Sequence, residues 1–292
     1  MFYLLHFGCS LWKVYNSYLF RPYFMKHCTN IVGESCVLSV RKDKMKLNSE
    51  KIQAYCSEPV TIRLYDSIDS TNNEAKRRSD SGLCLYAATH QTAGRGRRGH
   101  SFYSPKDTGL YMTLSLPLSA PSASVQKITC AAAVAVCEAV DTLSDIQPAI
   151  KWVNDIYVNG KKAAGILTEL VSDDSNRPRA VIVGIGMNLC TEQFPDEFAA
   201  NAGNLGDIEV NALCGAITAR LIDYYRRLND HSIIEKYKKR SFCIGRAVRY
   251  TQNDIIHIAT AVDIDNDGGL IVEENGVRTT LSSGEISIIP IK

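Results

Sequence analysis

The sequence predicts an α/β chain that ends in a small all-β unit. Strand-like runs at Leu83–Thr89, Leu110–Leu116 and Arg179–Leu189 are interleaved with helical segments, the longest of them Ser124–Leu143. After Phe242 the texture changes to short β-prone runs separated by turns at Asn266–Gly269 and Asn275-Gly276. A stretch of about 50 such residues suits a small β-barrel. These observations divide the chain into an irregular extension at 1–44, a main domain at 45–241 and a β domain at 242–292.

Bulk properties narrow the class. A chain of 292 residues has room for about two domains. Hydrophobic residues at 45% and charged residues at 22% are ordinary for a soluble globular protein. The net charge of +2 excludes a global nucleic-acid signature. Ten cysteines occur with no C-x-x-C pair, which argues against a zinc ribbon or thioredoxin motif and for reduced thiols in the cytoplasm. Cys130 and Cys137 fall on an apolar helix and read as core residues.

Taken in order, residues 1–44 are dense in Phe, Tyr and Cys without periodicity. They hold no basic n-region and no apolar run near the roughly 18 residues of a span, so neither a signal peptide nor a membrane helix is expected. Met45 begins a more regular sequence, and the preceding residues need not belong to the native chain. Ser49–Tyr55 suits a short helix, and Val60, Ile62 and Leu64 alternate as a strand. Thr71 and Glu74 have capping-box spacing, which predicts a helix to about Arg78 with Ser70 and Thr71 as capping residues. The alanine-rich helix Ser124–Leu143 can pack closely on a sheet and stops before Pro148.

Ala149–Trp152 ends a strand, and Ile156–Val158 and Lys161–Val171 flank the hairpin signal Asn159-Gly160. Gly184 and Gly186 inside Arg179–Leu189 mark a close backbone approach. Ala212–Leu228 carries Leu213, Ile217, Leu221, Tyr224 and Leu228 on one helical face. Ser232–Arg240 is a further helix.

The chemistry concentrates in Gly94-Arg95-Gly96-Arg97-Arg98-Gly99. Glycines let backbone approach a ligand, and guanidiniums suit phosphates and carboxylates. A solvated basic turn or a nucleic-acid patch has the same composition. The position between two strands favours a functional loop. Arg95, Arg97, Lys151 and Lys162 form a cationic set suited to polyphosphate chemistry, where catalysis is largely positioning and charge neutralisation. Asp155 is a candidate Mg²⁺ contact. The chain has no G-x-x-x-x-G-K-[ST] run and no evident Ser-His-Asp arrangement, and its six histidines are isolated.

Three segments, GRGRRGHSFYSPKDTGLYMTLSL, KWVNDIYVNGKKAAGILTEL and VIVGIGMNL, together resemble the biotin–protein ligase family in order and spacing. The resemblance extends over about residues 60–292. It implies an α/β catalytic domain on a mixed sheet followed by an SH3-like barrel. It further implies that Ser70, Thr71 and Gln91 hold the biotin ureido ring. The loop from Gly94 folds over the activated intermediate, with Arg95 and Arg97 facing carboxylate and phosphate and Arg98 on the nucleotide side.

By the same resemblance, Lys162 meets the reacting carboxylate and α-phosphate. Lys151, Asn154 and Asp155 serve ATP, metal and the incoming amine. Asn188 lies near the adenylate. Lys162, Arg97, Lys151 and Asp155 are the catalytic set so implied.

Three positions depart from the family pattern. Val153 stands where proline is frequent, His100 where a basic or small residue is usual, and Phe102 where tryptophan packs on adenine. Phenylalanine still offers a stacking face.

ATP with Mg²⁺, biotin and a biotin carboxyl carrier domain are the implied partners. No tightly bound metal, membrane or DNA contact is expected, and a homodimer is compatible with the family. The residues before the core show no winged helix-turn-helix, which fits a monofunctional ligase. Lipoate or octanoyl transfer on the same fold, and nucleic-acid binding through the arginine loop, are the competing functions.

Overall fold

Alternation at period two sorts the strands of the main sheet into two faces. The structure, a computed structural model, describes residues 45–288 other than 79, 119–124, 173–174, 253 and 283–285. The extension expected at 1–44 lies outside the described residues. The strands are β1 (Thr61–Tyr65), β2 (Cys84–Ala88), β3 (Gly109–Pro117), β4 (Ala149–Lys151), β5 (Asp155–Val158), β6 (Lys161–Ser172) and β7 (Pro178–Asn188). They form one seven-stranded sheet in the order β1-β2-β3-β7-β6-β5-β4. Only β1 and β2 run parallel, so the sheet is mixed as expected.

One face carries Leu85, Leu110, Met112, Leu114, Val181, Val183, Ile185 and Met187 into the main core. Two helices supply its other side, α3 (Val125–Leu143) and α5 (Val210–Arg226). Cys130 to Ala133 of α3 are fully buried, since small side chains let this helix approach closely. Helix α5 starts two residues before the expected Ala212, because Glu209 accepts the Ala212 amide and caps it. The short helices α1 (Ser49–Gln53) and α4 (Asp196–Ala199) and the last helix α6 (Ser232–Arg240) complete the set. The Asn159-Gly160 hairpin holds both residues at positive φ, 51° and 75°, as a type I′ turn requires.

The opposite face carries α2 (Thr71–Arg78), with Ala75 packed on Cys84, Tyr86 and Ile182. The helix lies where the sequence put it, but the capping box does not form. Ser70 is the residue before the helix, and its Oγ accepts the Asn73 amide at 3.4 Å. Thr71 turns its hydroxyl to Gln91 and Thr113. Glu74 gives its carboxylate to Tyr65, Arg77 and Arg78. Charge-assisted bonds to two guanidiniums outcompete a single bond back to a backbone amide.

The C-terminal strands are β8 (Ala247–Gln252), β9 (Ile255–Ile264), β10 (Leu270–Glu274), β11 (Val277–Leu281) and β12 (Ile286–Ile288). They form an antiparallel sheet in the order β11-β10-β9-β8-β12. Among the described residues β11 and β12 do not pair, so this unit is a five-stranded sheet and no closed barrel is present.

Gly184 of β7 decides how closely α2 approaches. A Cβ there would fall inside the Asn72 amide, which accepts from Thr113 at 2.6 Å and donates to Glu169 at 3.0 Å. Gly184→Ala is therefore expected to displace the start of α2 and to lower stability by roughly 1–3 kcal/mol. Urea denaturation checks this; an unchanged midpoint would mean that Asn72 has room to move.

Candidate active site

The α2 face of the sheet opens into a cavity of about 360 Å³. Strand register fixes its floor. Lys151, Asp155, Gly165, Gly186 and Tyr111 are successive partners across β4, β5, β6, β7 and β3. The next row on this face runs Leu167, Gly184, Thr113 and Tyr86. Paired residues share a face, so two rows deliver a lysine, an aspartate and three glycines to one surface.

The glycines are there to admit side chains. A Cβ on Gly186 would lie 2.6 Å from the Phe102 ring, and one on Gly165 would lie 3.3 Å from Lys162 Cε and 3.4 Å from the same ring. Phe102 also meets Tyr111 edge to face at 6.3 Å between centroids.

At one end, the segment before α2 runs beside residues 90–93. Ile68 and Asp69 accept the amides of Thr92 and Ala93 at 2.9 and 2.8 Å. This brings Gln91 Oε1 to the Thr71 amide at 2.9 Å and to its hydroxyl at 3.2 Å. Gln91 Nε2 donates to Ser104 at 3.1 Å. Ser70 and Thr71 are almost fully buried, so a ligand here meets fixed hydroxyl and amide groups.

The Arg-Gly loop is a small hairpin over the cavity. Arg95 bridges Ser101, Gly96 donates to the His100 carbonyl at 2.7 Å, and Phe102 donates to that of Gly94 at 2.9 Å. Arg98 (φ 53°) and Gly99 (φ 80°) close it in the left-handed region. Two arginines reach opposite walls. Arg95 meets Asn73 at 3.1 Å and Glu169 at 3.5 Å, while Arg97 donates to Asn154 Oδ1 at 3.1 Å.

Burial pushes the Glu169 carboxyl up, but Lys76, Asn72 and Arg95 outweigh it and hold its pKa below the ordinary value. Lys162 Nζ lies 2.7 Å from Asp155 Oδ1, an ion pair without the alignment of a hydrogen bond. The Lys162 backbone is held by residues 201–203, donating to the Asn201 carbonyl at 2.7 Å and accepting from the Gly203 amide at 2.8 Å.

The structure thus gathers ten of the sequence-derived residues around one cavity: Ser70, Thr71, Gln91, Arg95, Arg97, Phe102, Lys151, Asn154, Asp155 and Lys162. Gly94, Arg98 and Asn188 stand outside the lining. Asn188 is buried and donates to the Gly203 carbonyl at 3.2 Å. Sequence reasoning missed Asn72, Trp152, Phe198 and Ile286, which also line the cavity. Asn72 and Trp152 sit inside motifs already singled out. Phe198 of α4 and Ile286 of β12 carry no local signal.

The mixed sheet, the arginine hairpin and the paired lysine are the parts that the resemblance to a ligase family implies. The chain matches the Biotin/lipoate A/B protein ligase family over residues 64–188 and the Biotin protein ligase C terminal domain over residues 243–288. It is 32% identical over 232 residues to the bifunctional ligase/repressor BirA of Bacillus spizizenii, covering 75% of this chain and 71% of that protein. It is 36% identical over 238 residues to the biotin–[acetyl-CoA-carboxylase] ligase of Paracoccus denitrificans, covering 75% and 96%. The biotin protein ligase of Aquifex aeolicus, solved with biotin and ATP, superposes with a TM-score of 0.68 at 25% identity, over 78% of this chain and 98% of that one. The chain belongs to the biotin protein ligase family.

Glu169 yields a pH-dependent expectation. Its folded pKa is depressed, so its contribution is present in full above the ordinary carboxyl value of 4.5 and is lost as pH falls through the lower folded value. Glu169→Gln should be less stable than the parent at neutral pH, and the difference should shrink on acidification below about pH 4.5. Unfolding curves of both chains across that range check this; a gap that widens in acid contradicts it.

Proposed function

We propose that this chain activates biotin with ATP to biotinyl-5'-adenylate and transfers biotin to a lysine of a biotin carboxyl carrier protein. The observation that carries it is the Lys162–Asp155 pair on a glycine floor, in one cavity with the Ser70–Thr71–Gln91 pocket and the arginine hairpin. A ureido ring offers N–H donors and a carbonyl acceptor, which suits the hydroxyls and amide of that pocket. The biotin carboxylate attacks the α-phosphate and pyrophosphate leaves. A carrier lysine then attacks the mixed anhydride and releases AMP. Lys162 and Arg97 offset charge developing on carboxylate and phosphate. Arg95 and Arg98 assist on the nucleotide side, and the hairpin over the site keeps water from the anhydride. Phe102 supplies the adenine platform, Asn188 orients the nucleotide from behind the lining, and Lys151 and Asn154 serve the phosphates and the incoming amine.

Mg²⁺ enters as a companion of the nucleotide. Asp155 is the one carboxylate among the lining residues, and no group of three or more His, Cys, Asp or Glu sits together among the described residues. This donor set fits an ion carried mainly by phosphate oxygens, whose charge it would neutralise. The catalytic domain spans 45–241 and the appended domain 242–292. No described helix is long and apolar enough to cross a membrane. We place the enzyme in the cytoplasm with its carrier because its thiols read as reduced.

Incubation with biotin, Mg-ATP and a carrier domain, read by avidin blot, tests the function. Pyrophosphate exchange driven by lipoate or octanoate in place of biotin would overturn it. Lys162→Ala is expected to lose about 100- to 1000-fold in exchange rate while remaining folded; an unchanged rate removes Lys162 from the chemistry. Hydrogen exchange of residues 94–100 should slow on adding biotin and slow further with the adenylate, since ordering a glycine-rich loop needs the ligand's contacts. Equally slow exchange without ligand would mean that the hairpin is fully set beforehand.

A further inference from the structure

Residues 151–155 carry three of the side chains assigned above, yet Trp152–Asn154 form an irregular turn between β4 and β5. Such a turn takes its shape from bonds made outside it. On the Asn154 side these come from β6, where Ile166 accepts from Asn154 Nδ2 at 3.1 Å and donates to its carbonyl at 2.9 Å. On the Trp152 side they come from much later in the chain. The Trp152 amide donates to Cys243 Sγ at 3.3 Å. Its indole N–H donates to the Gly268 carbonyl at 2.9 Å. The Val153 carbonyl accepts from the Tyr237 hydroxyl at 2.9 Å. All three bonds are buried, and Tyr237 and Cys243 have no exposed surface.

The Gly268 carbonyl is itself fixed. Asp265 Oδ1 accepts the amides of Asp267 and Gly269 at 2.9 and 2.7 Å and shapes the β9–β10 turn. Gln126 of α3 donates to the same carbonyl at 2.6 Å. Gly268 has φ +89°, and a Cβ there would lie 2.7 Å from Cys130 Sγ. The turn is thus seated on α3 with its carbonyl aimed at Trp152.

We propose that Tyr237, Cys243 and the Gly268 turn are positioning residues for adenylation, acting through Trp152 and Val153 on Lys151, Asn154 and Asp155. The proposal rests on the ligase function above. The clamp holds the nucleotide-side wall and does not touch the Ser70–Thr71–Gln91 pocket. Loosening it should therefore slow chemistry and leave biotin binding alone. A small misplacement of reacting groups lowers rate steeply.

The test uses the full chain with Trp12→Phe, which leaves Trp152 as the single tryptophan of two. In that background Tyr237→Phe removes one hydroxyl, and Cys243→Ala removes the sulfur should Tyr237→Phe fail to fold. Pyrophosphate exchange, biotin affinity by calorimetry and Trp152 emission are measured well below the melting temperature. The expected result is a fall of about tenfold in exchange kcat, a biotin Kd within about twofold of the parent, and a red shift of Trp152 emission. A folded variant with the parental kcat overturns the proposal, as does a biotin affinity that falls in step with kcat. If the parent itself exchanges no pyrophosphate with biotin, the ligase function fails. The emission then still decides the clamp, because an unshifted Trp152 in the variant removes it.

Discussion

Between Gly165 and Gly186, paired across β6 and β7, the sheet presents no Cβ to the cavity, and Phe102 and Lys162 lie over the bare backbone. That bare patch sets the depth of the site. With side chains at these positions the Phe102 ring would be lifted, and the arginine hairpin that ends at Phe102 would rise with it. Gly184, on the next row, lets Asn72 settle so that α2 brings Ser70 and Thr71 to the rim. The opposite face of the same strands is packed with Val183, Ile185 and Met187 against α3 and α5. Close packing there keeps the backbone under the cavity from yielding.

Three of the four lysines and arginines around the cavity already have a polar partner. Lys162 has Asp155, Arg97 has Asn154, and Arg95 has Asn73 and Glu169. Lys162 and Asp155 are both partly exposed, and pairs of that kind contribute little net stability. On the function we propose, a polyphosphate would take over these cations at small cost. Meanwhile the pairs restrict each long side chain, which would reduce the rotamer entropy lost on binding an anion there.

Much of this architecture was legible because the signals are local. Strand-like runs located β3 and β7, alternation at Val60, Ile62 and Leu64 located β1, and an Asn-Gly pair located the β5–β6 hairpin. The start of α2 and the capping role of Ser70 were legible too, but the roles of Thr71 and Glu74 were not. The fate of Thr71 is decided by Gln91 and Thr113, 20 and 42 residues away in sequence. Glycines in β7 announced a close approach without saying what approaches, and the answer is two side chains of the same chain, Asn72 and Phe102. Phe198 and Ile286 reach the cavity from α4 and β12 through tertiary packing alone, which no spacing in the sequence encodes.

The register of β6 and β7 also governs which insertions and deletions the chain can absorb over generations. Side chains alternate faces, so losing a single residue within β7 would swing Ile185 into the cavity and Gly186 into the core. Both surfaces would be spoiled at once, whatever residue was lost. The loop between β7 and α4 is bound by no such parity, and Glu192 and Gln193 in it are exposed. Length variation in this lineage should gather at such exposed loops, leaving the two central strands as a ruler of constant length.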